Sequence, residues 1–334
     1  MNNTKVIAEI GVNHNGSIIL AKKLIDIAVK SGADFAKFQI FKADNLAIKN
    51  SKKANYQNKN LNNEITQHQM LKNYEIDLEK IKIINNYCIK KKIKFLASCF
   101  DIESTNLYLK FKPKYIKIPS GEITNYQLLE YVGKKKIEVI ISTGMSRMKE
   151  VEKAVDILIK AGTSKKKITV LQCTTDYPAE LKDSNLNCIR SLKKKLKTKV
   201  GFSDHTRGDI ASIIATSLGS TIIEKHLTLD KKMKGPDHLA SMNFNEFKDF
   251  VKKIKSVNSI LGINIKKPSL KELKNLKYVR KSIYAKKAIK KGQSFSHKNI
   301  IPKRPMNGMS ADKIKQIIGR KAKKNFKIDE KITL

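Results

Sequence analysis

Short β-rich runs alternate with stretches whose apolar residues recur at helical spacing through most of this chain. The runs fall at 6–12, 35–40, 94–100, 115–120, 138–144, 168–173, 200–205 and 221–228. Amphipathic helical stretches such as 18–31, 78–91, 151–161 and 210–218 separate them. Gly32, Gly162 and Gly219 sit where helix C-caps are expected. Eight strand–helix repeats within roughly 250 residues predict an α/β fold of the TIM (β/α)8 barrel type. A doubly wound open sheet gives the same alternation but seldom needs eight consecutive repeats.

The repeat is interrupted twice. Residues 43–76, rich in Lys and Asn and carrying Tyr56 and Tyr74, separate the second strand from its helix. A loop of that length at the catalytic face of a barrel predicts a lid or a subunit contact. After a helical stretch at 244–261 the pattern stops. The barrel domain is therefore expected over 1–262, a polar linker containing Pro268 over 263–278, and a small β-rich domain over 279–334. Lys290-Lys291-Gly292-Gln293 reads as a turn there, and Pro302, Pro305 and Gly308 punctuate the rest. So small a domain gains from packing on a partner.

Composition changes the picture little. An apolar fraction of 40% fills a sizeable core in 334 residues, and no apolar run approaches the roughly 20 residues that span a bilayer. The net charge of +39 raises the question of nucleic acid. Of 69 basic residues, however, only six are arginine, at 147, 190, 207, 280, 304 and 320, and the lysines are spread along the whole chain. Arginine is the preferred residue for phosphate forks and base edges. Solvated surface lysine is the reading, with no nucleic-acid or membrane partner. The charge still favours anionic substrates by steering. Four scattered cysteines without a C-x-x-C pair, and an N-terminus that enters a strand without a secretory signal pattern, fit reduced thiols in a cytoplasm.

Candidate chemistry collects at the C-terminal ends of the predicted strands, where a barrel places its catalytic groups. These ends supply Glu9, Lys37, Gln39, Ser98, Lys117, Ser120, Glu122, Thr175, Tyr177, Ser203, His205 and His226 in turn. Two of only six histidines, His205 and His226, end consecutive strands, each beside an acidic residue, Asp204 and Glu224. Neutral imidazole is a common metal ligand and a carboxylate can fix its tautomer, so the pair reads as metal ligands or as a hydrogen-bonded polar cluster. Lys37 and Lys117 alternate inward among apolar neighbours, and a buried ammonium needs a partner. With Ser98, Ser120 and Ser203 they make a phosphate pocket; internal salt bridges to Glu9 and Glu122 are the competing reading. Glu122 either accepts a proton or holds a water, or else pairs with Lys117. Asp237 and His238 lie in a turn-like Gly235-Pro236-Asp237-His238 segment. No P-loop, G-x-G-x-x-G or H-E-x-x-H occurs.

Taken in series, several stretches resemble the N-acetylneuraminate (sialic acid) synthase family. They are Ala8-Glu9-Ile10-Gly11-Val12-Asn13-His14-Asn15-Gly16, Lys37-Phe38-Gln39, Lys117-Ile118-Pro119-Ser120-Gly121-Glu122 and Ser142-Thr143-Gly144-Met145. Further along come Phe202-Ser203-Asp204-His205-Thr206, Glu224-Lys225-His226-Leu227-Thr228 and Gly235-Pro236-Asp237-His238. Lys303-Arg304-Pro305 and Asn307-Gly308 resemble the family's antifreeze-like (SAF) domain. The resemblance implies condensation of phosphoenolpyruvate with an N-acyl hexosamine, typically N-acetylmannosamine, releasing phosphate and a nine-carbon sialic acid. A legionaminate synthase, acting on 2,4-diacetamido-2,4,6-trideoxymannose, is the alternative within the same mechanism. The resemblance further implies a divalent cation, Mn²⁺ or Mg²⁺, on His205 and His226. Lys37, Ser98, Lys117, Ser120, Thr175, Ser203 and His205 would surround phosphoenolpyruvate. Glu9, Gln39, Tyr177 and Asp237 would face the sugar or the reacting centre, and Glu122 would orient or deprotonate a water. A domain-swapped homodimer is implied, with Arg304 reaching over the neighbour's barrel. The chain departs from the family pattern at Ser98-Cys99-Phe100, at Gln172 and at Met306-Asn307-Gly308-Met309, none of which touches the histidine pair.

Overall fold

Alternating apolar side chains bounded by helix caps dictate the architecture, and the computed structural model, which describes residues 4–54, 57–58 and 65–334, shows a closed parallel barrel. Strands β1 (Lys5–Gly11), β2 (Phe35–Ile40), β3 (Lys94–Cys99) and β4 (Tyr115–Ile118) pair in chain order. Strands β5 (Glu138–Ser142), β6 (Ile168–Cys173), β7 (Lys199–Asp204) and β8 (Ile222–His226) complete the circuit. The barrel closes where β8 pairs with β1, Glu9 lying opposite His226. β4 ends two residues before its predicted limit because Pro119, which has no N–H to donate, leads into a 3-10 turn over Ser120–Glu122.

The intervening helices are α1 (Ile18–Lys30), α2 (Ala43–Leu46), α3 (Gln67–Tyr74), α4 (Leu78–Lys90) and α5 (Ile102–Leu109). They are followed by α6 (Tyr126–Gly133), α7 (Met148–Lys160), α8 (Asn187–Leu196), α9 (Ile210–Ser217) and α10 (Phe244–Leu261). Ser17, Thr66, Asp77, Asp101 and Asn125 each accept the backbone N–H three residues on, capping α1, α3, α4, α5 and α6. Each such cap contributes about 0.5–2 kcal/mol. Gly32, Gly162 and Gly219 follow the caps of α1, α7 and α9 with positive φ, as expected. The stretch 43–76 is not a plain loop, since it carries α2 and α3; residues 55–56, with Tyr56, and 59–64 lie outside the described residues.

The core has two parts. Ile, Val, Leu and Phe between strands and helices form the larger cluster. Inside the barrel a smaller one, Ile7, Phe35, Leu96, Tyr115, Ile140, Leu171 and Ile222, fills the lower lumen. Phe35 and Tyr115 meet edge to face at 5.2 Å, and the Lys5 ammonium donates to the Tyr115 hydroxyl at 2.9 Å. Side chains alternate along a strand, so the next inward positions are Glu9, Lys37, Ser98, Lys117, Ser142, Cys173, Ser203 and Glu224. An apolar floor thus carries an ionic layer.

The chain divides into two compact units, Met1–Gly262 and Ile263–Leu334. In the second, α11 (Leu270–Val279) occupies most of the segment expected as a linker, and it begins at a reciprocal Ser269–Glu272 capping box. None of its residues is buried. β9 (Ser282–Ala285) and β10 (Ile300–Lys303) pair antiparallel over a small core that includes Ile283, Phe295, Ile317 and Phe326. Among the described residues no helix is long and apolar enough to cross a membrane.

Candidate active site

The C-terminal mouth of the barrel holds a cavity of about 330 Å³. Glu9, Lys37, Gln39, Ser98, Lys117, Ser120, Glu122, Thr175, Tyr177, Ser203, His205, His226 and Asp237 all line it. Of the residues picked out from the sequence, Asp204 and His238 do not, and neither does Arg304. It lies in the second unit, where its Nε donates to the Val279 carbonyl at 2.7 Å.

Glu224 organises the ionic layer. Lys117 Nζ lies 2.8 Å from both of its carboxylate oxygens, Lys37 Nζ 2.9 Å from Oε1, and the Ser203 hydroxyl donates to Oε1 at 2.9 Å. Lys37 Nζ also lies 3.3 Å from Glu9 Oε2 and donates to Ser98 Oγ at 3.2 Å. Gln39 donates to Glu9 Oε1 at 3.2 Å, while Glu9 Oε2 is buried without a hydrogen bond. Burial pushes the Glu9 carboxyl up to about 7 against the pull of Lys37. Burial would also raise Glu224, but Lys117 and Lys37 hold it well below the ordinary range. Burial draws Lys117 down to about 8 despite Glu224. Burial opposes the charge on Lys37 too, yet Glu224 and Glu9 together hold its pKa above the ordinary value. With Glu9 about half-protonated near pH 7, the two lysines face one full carboxylate and part of a second, so the layer leans toward positive charge facing the cavity. It is built to receive an anion.

The two histidines stand just above. His205 Nδ1 lies 2.7 Å from the Thr174 carbonyl, which only accepts, so Nδ1 bears the proton and Nε2 keeps its lone pair. Burial would lower the His205 pKa, but the Cys173 sulfur 3.9 Å from Nδ1 leaves it raised. Burial, with His205 adding to it, holds His226 well below its ordinary value and so neutral. His226 Nδ1 is buried without a hydrogen-bond partner, 4.0 Å from Asp237 Oδ2. Tyr177 stacks on His205 at 4.1 Å and meets the edge of His226 at 5.6 Å, and the two imidazole centroids are 5.4 Å apart. Two imidazole nitrogens free of hydrogen bonds suit a divalent cation. Among the described residues no group of three His, Cys, Asp or Glu side chains forms a complete ligand set.

Hydroxyls and one carboxylate form the remaining edge. Ser120 Oγ accepts from the Gly144 N–H at 3.0 Å, and a Cβ on Gly144 would lie 1.9 Å from Thr175 Oγ1, so only glycine permits this approach. Thr175 Oγ1 and Ser142 Oγ are buried without hydrogen-bond partners. Glu122 is half-buried, accepts from Asn125 Nδ2 at 2.7 Å, and has its pKa raised by burial. It is not the partner of Lys117; Glu224 is.

Adjacency in the sequence leaves the two acidic neighbours of the histidines open between orienting the imidazoles and pairing with lysines, and the structure pairs both with lysines. Consecutive strand residues face opposite ways, so Asp204 points outward, away from His205, and pairs with Lys225 at 3.0 Å. Glu224 points inward and binds lysines, not an imidazole. The alternation Glu224–His226, two residues apart on one face, was the signal for it. Apolar residues Phe41, Leu46, Met70 and Leu71 also line the cavity, and nothing in the sequence assigns them there.

Comparison with known proteins agrees with this geometry. Residues 24–266 match the NeuB family and residues 280–334 the SAF domain. The chain is 48% identical over 332 residues, 99% of both chains, to the N,N'-diacetyllegionaminic acid synthase of Campylobacter jejuni. It is 40% identical to the enzyme of that name from Legionella pneumophila, over 96% of this chain and 91% of that one. A solved N-acetylneuraminic acid (sialic acid) synthetase from Leptospira borgpetersenii superposes with a TM-score of 0.72 at 30% identity, covering 82% of this chain and 90% of that one. The chain belongs to the NeuB family, the sialic acid synthase family, and carries a C-terminal SAF domain.

Proposed function

We propose that this protein condenses phosphoenolpyruvate with 2,4-diacetamido-2,4,6-trideoxymannose and water, giving N,N'-diacetyllegionaminate and phosphate. From the sequence, N-acetylmannosamine is the first choice of acceptor; the relatives at 48% and 40% identity favour the diacetamido sugar. The observation that carries the reading is the ionic layer beneath an open cavity, in which two buried lysines share Glu224 and a Glu9 carboxyl that burial holds part-protonated.

Phosphoenolpyruvate brings a carboxylate and a phosphate, and Lys37 and Lys117 supply the ammonium charge that orients them. The hydroxyls of Ser98, Ser120, Thr175 and Ser203 stand around the same layer to accept or donate to its oxygens. C3 of the enol attacks the aldehyde carbon of the open-chain sugar, cation-like charge builds at C2, and water adds there before the C–O bond to phosphate breaks. A divalent cation held by His205 Nε2 and His226 Nδ1 would polarise the aldehyde as a Lewis acid. Glu9, poised near pH 7 and pinned by Gln39, holds or releases a proton at Oε2 beside the reacting centre. Glu122, steadied by Asn125, orients the water. Tyr177 and Asp237 close the sugar side around the imidazoles. Arg304 of a second copy, brought by a domain-swapped homodimer, is the proposed contact to the acylamino group.

The test is phosphate release. With phosphoenolpyruvate and the diacetamido sugar, EDTA should abolish it and Mn²⁺ or Mg²⁺ restore it. Full turnover in excess EDTA would remove the cation from the scheme, and faster turnover with N-acetylmannosamine would reverse the choice of acceptor.

A further inference from the structure

Two polar motifs stand outside the cavity: Asn13-His14-Asn15 after β1, and His238 in the segment between β8 and α10. That segment leaves β8, brings Asp237 to the cavity and returns at Met242. Its ends are tied by the Thr228 N–H to the Met242 carbonyl and the Met242 N–H to the His226 carbonyl, at 2.9 Å each. Between these ties the segment is irregular apart from a 3-10 turn over His238–Ala240, so side chains must fix its path.

His238, fully buried, is the centre of that fixing. Asn15 Nδ2 donates to the Lys234 carbonyl at 3.0 Å, which leaves Asn15 Oδ1 to accept from His238 Nε2 at 3.2 Å. His238 Nδ1 therefore keeps its lone pair and accepts from the buried Thr228 hydroxyl at 2.7 Å. The Asp230 carbonyl, 3.1 Å from the same hydroxyl, is the weaker competitor for its proton. A Cβ on Gly235 would lie 2.5 Å from the imidazole Cδ2, so the ring rests on bare backbone. On the other side, Ser241 Oγ donates to the Asp237 carbonyl at 2.7 Å and accepts from Asn13 Nδ2 at 2.9 Å. The loop after β1 thus brackets Asp237 twice, through His238 from Asn15 and through Ser241 from Asn13. The Asp237 carboxylate is left facing the cavity, with Oδ2 4.0 Å from His226 Nδ1.

We infer that Asn15, His238 and Thr228 are positioning residues that act through Asp237, holding its carboxylate beside His226 on the side of the second substrate. This rests on the synthase reading above, in which Asp237 faces the sugar. The lysines and carboxylates of the ionic layer stand on β1, β2, β4 and β8, which form the barrel without this segment. Loosening the bracket should therefore be felt by the sugar and not by phosphoenolpyruvate. Displacing such a group by about 1 Å costs about 10²-fold, which sets the scale of the effect.

The experiment measures kcat and KM for each substrate by phosphate release from the full-length protein, with thermal unfolding of every variant. His238→Phe keeps the volume of the ring and removes both of its hydrogen bonds. It should lower kcat/KM for 2,4-diacetamido-2,4,6-trideoxymannose about 10–100-fold and leave KM for phosphoenolpyruvate at the parent's value. Thr228→Val should act in the same direction, whereas Thr228→Ser, which keeps the hydroxyl, should restore the parent's kinetics. Placed on Asp237→Ala, His238→Phe should add nothing further, because the group that it positions is gone. A sugar kcat/KM that His238→Phe leaves unchanged, an equal rise in KM for both substrates, or a full His238→Phe effect on top of Asp237→Ala overturns the inference. Should His238→Phe fail to fold, the Thr228→Val and Thr228→Ser pair decides the same question. A parent that releases no phosphate with either this sugar or N-acetylmannosamine overturns the synthase reading itself, and this inference with it.

Discussion

Strands β7 and β8 carry two carboxylate–lysine arrangements back to back, one on each face of the barrel wall. Ser203 and Glu224 are register partners on the inner face; one step along, Asp204 and Lys225 are partners on the outer face. Both arrangements are buried. The outer one is balanced: one ammonium meets one carboxylate at 3.0 Å, Asp204 Oδ1 accepts from the Thr206 N–H and hydroxyl at 2.8 Å each, and Oδ2 accepts from Ser212. The inner one is unbalanced, with two lysines on Glu224, a Glu9 carboxyl near neutrality and Glu9 Oε2 left without a hydrogen bond. Buried charge by itself does not mark a working site. Charge left over, beside unmet hydrogen bonds and a cavity, does.

The comparison breaks most sharply at Lys225. Lys225→Met strands Asp204 in a dry environment and should cost about 3–5 kcal/mol in a denaturant titration. Adding Asp204→Asn should return most of that loss, with phosphate release by the folded double variant close to the parent's. A double variant that folds but has lost turnover would show that the outer pair serves the chemistry too.

On the inner face Lys117→Met should do the opposite, cutting phosphate release about 10²–10³-fold while the remaining Lys37–Glu224 pair keeps the fold. Stopped assays together with far-UV circular dichroism would separate the two effects, and near-normal turnover would dismiss Lys117 as an anion-binding group.

A pH series sharpens the contrast. The folded protein holds the Glu9 proton up to about pH 7, whereas an ordinary carboxyl in the unfolded chain releases it near 4.5. This group's contribution to stability is therefore fullest below 4.5 and declines as pH rises to 7, by roughly 3 kcal/mol. Glu9→Gln should gain on the parent across that window and run parallel to it above. A difference independent of pH would mean that Glu9 titrates normally.

The smallest effect belongs to the outer face. Ser212→Ala deletes one hydrogen bond to Asp204 and should lower stability by roughly 1.5 kcal/mol without altering KM for either substrate.

The barrel was legible because period-two apolar runs and capped amphipathic helices repeat eight times, and local spacing is enough to define each unit. The strand-end residues were legible for the same reason: Lys37 and Lys117 interrupt apolar alternation where a soluble core would not tolerate them. What escaped was long-range. Glu224 meets Lys117, 107 positions away, only after the barrel closes through β8 and β1. α3 hid because Gln67–Tyr74 is short and polar on average, and its apolar stripe has meaning only with a cavity in front of it. The linker helix was missed because Lys-rich sequence without buried positions looks like solvent-exposed coil, though the Ser269–Glu272 box was written there.

The apolar floor has a kinetic consequence. With Phe35, Tyr115 and their neighbours filling the lumen below Lys37 and Lys117, the barrel has one doorway. Whatever binds at the lysine layer passes the histidines on its way in and out. Two reactants sharing such a blind shaft must queue. On the proposed reaction, the anion would take its place first, the sugar would stopper the shaft behind it, and after turnover the sugar acid would leave before phosphate. Product inhibition should carry that signature, with phosphate competing directly against phosphoenolpyruvate and the nine-carbon acid acting on enzyme that already holds an anion.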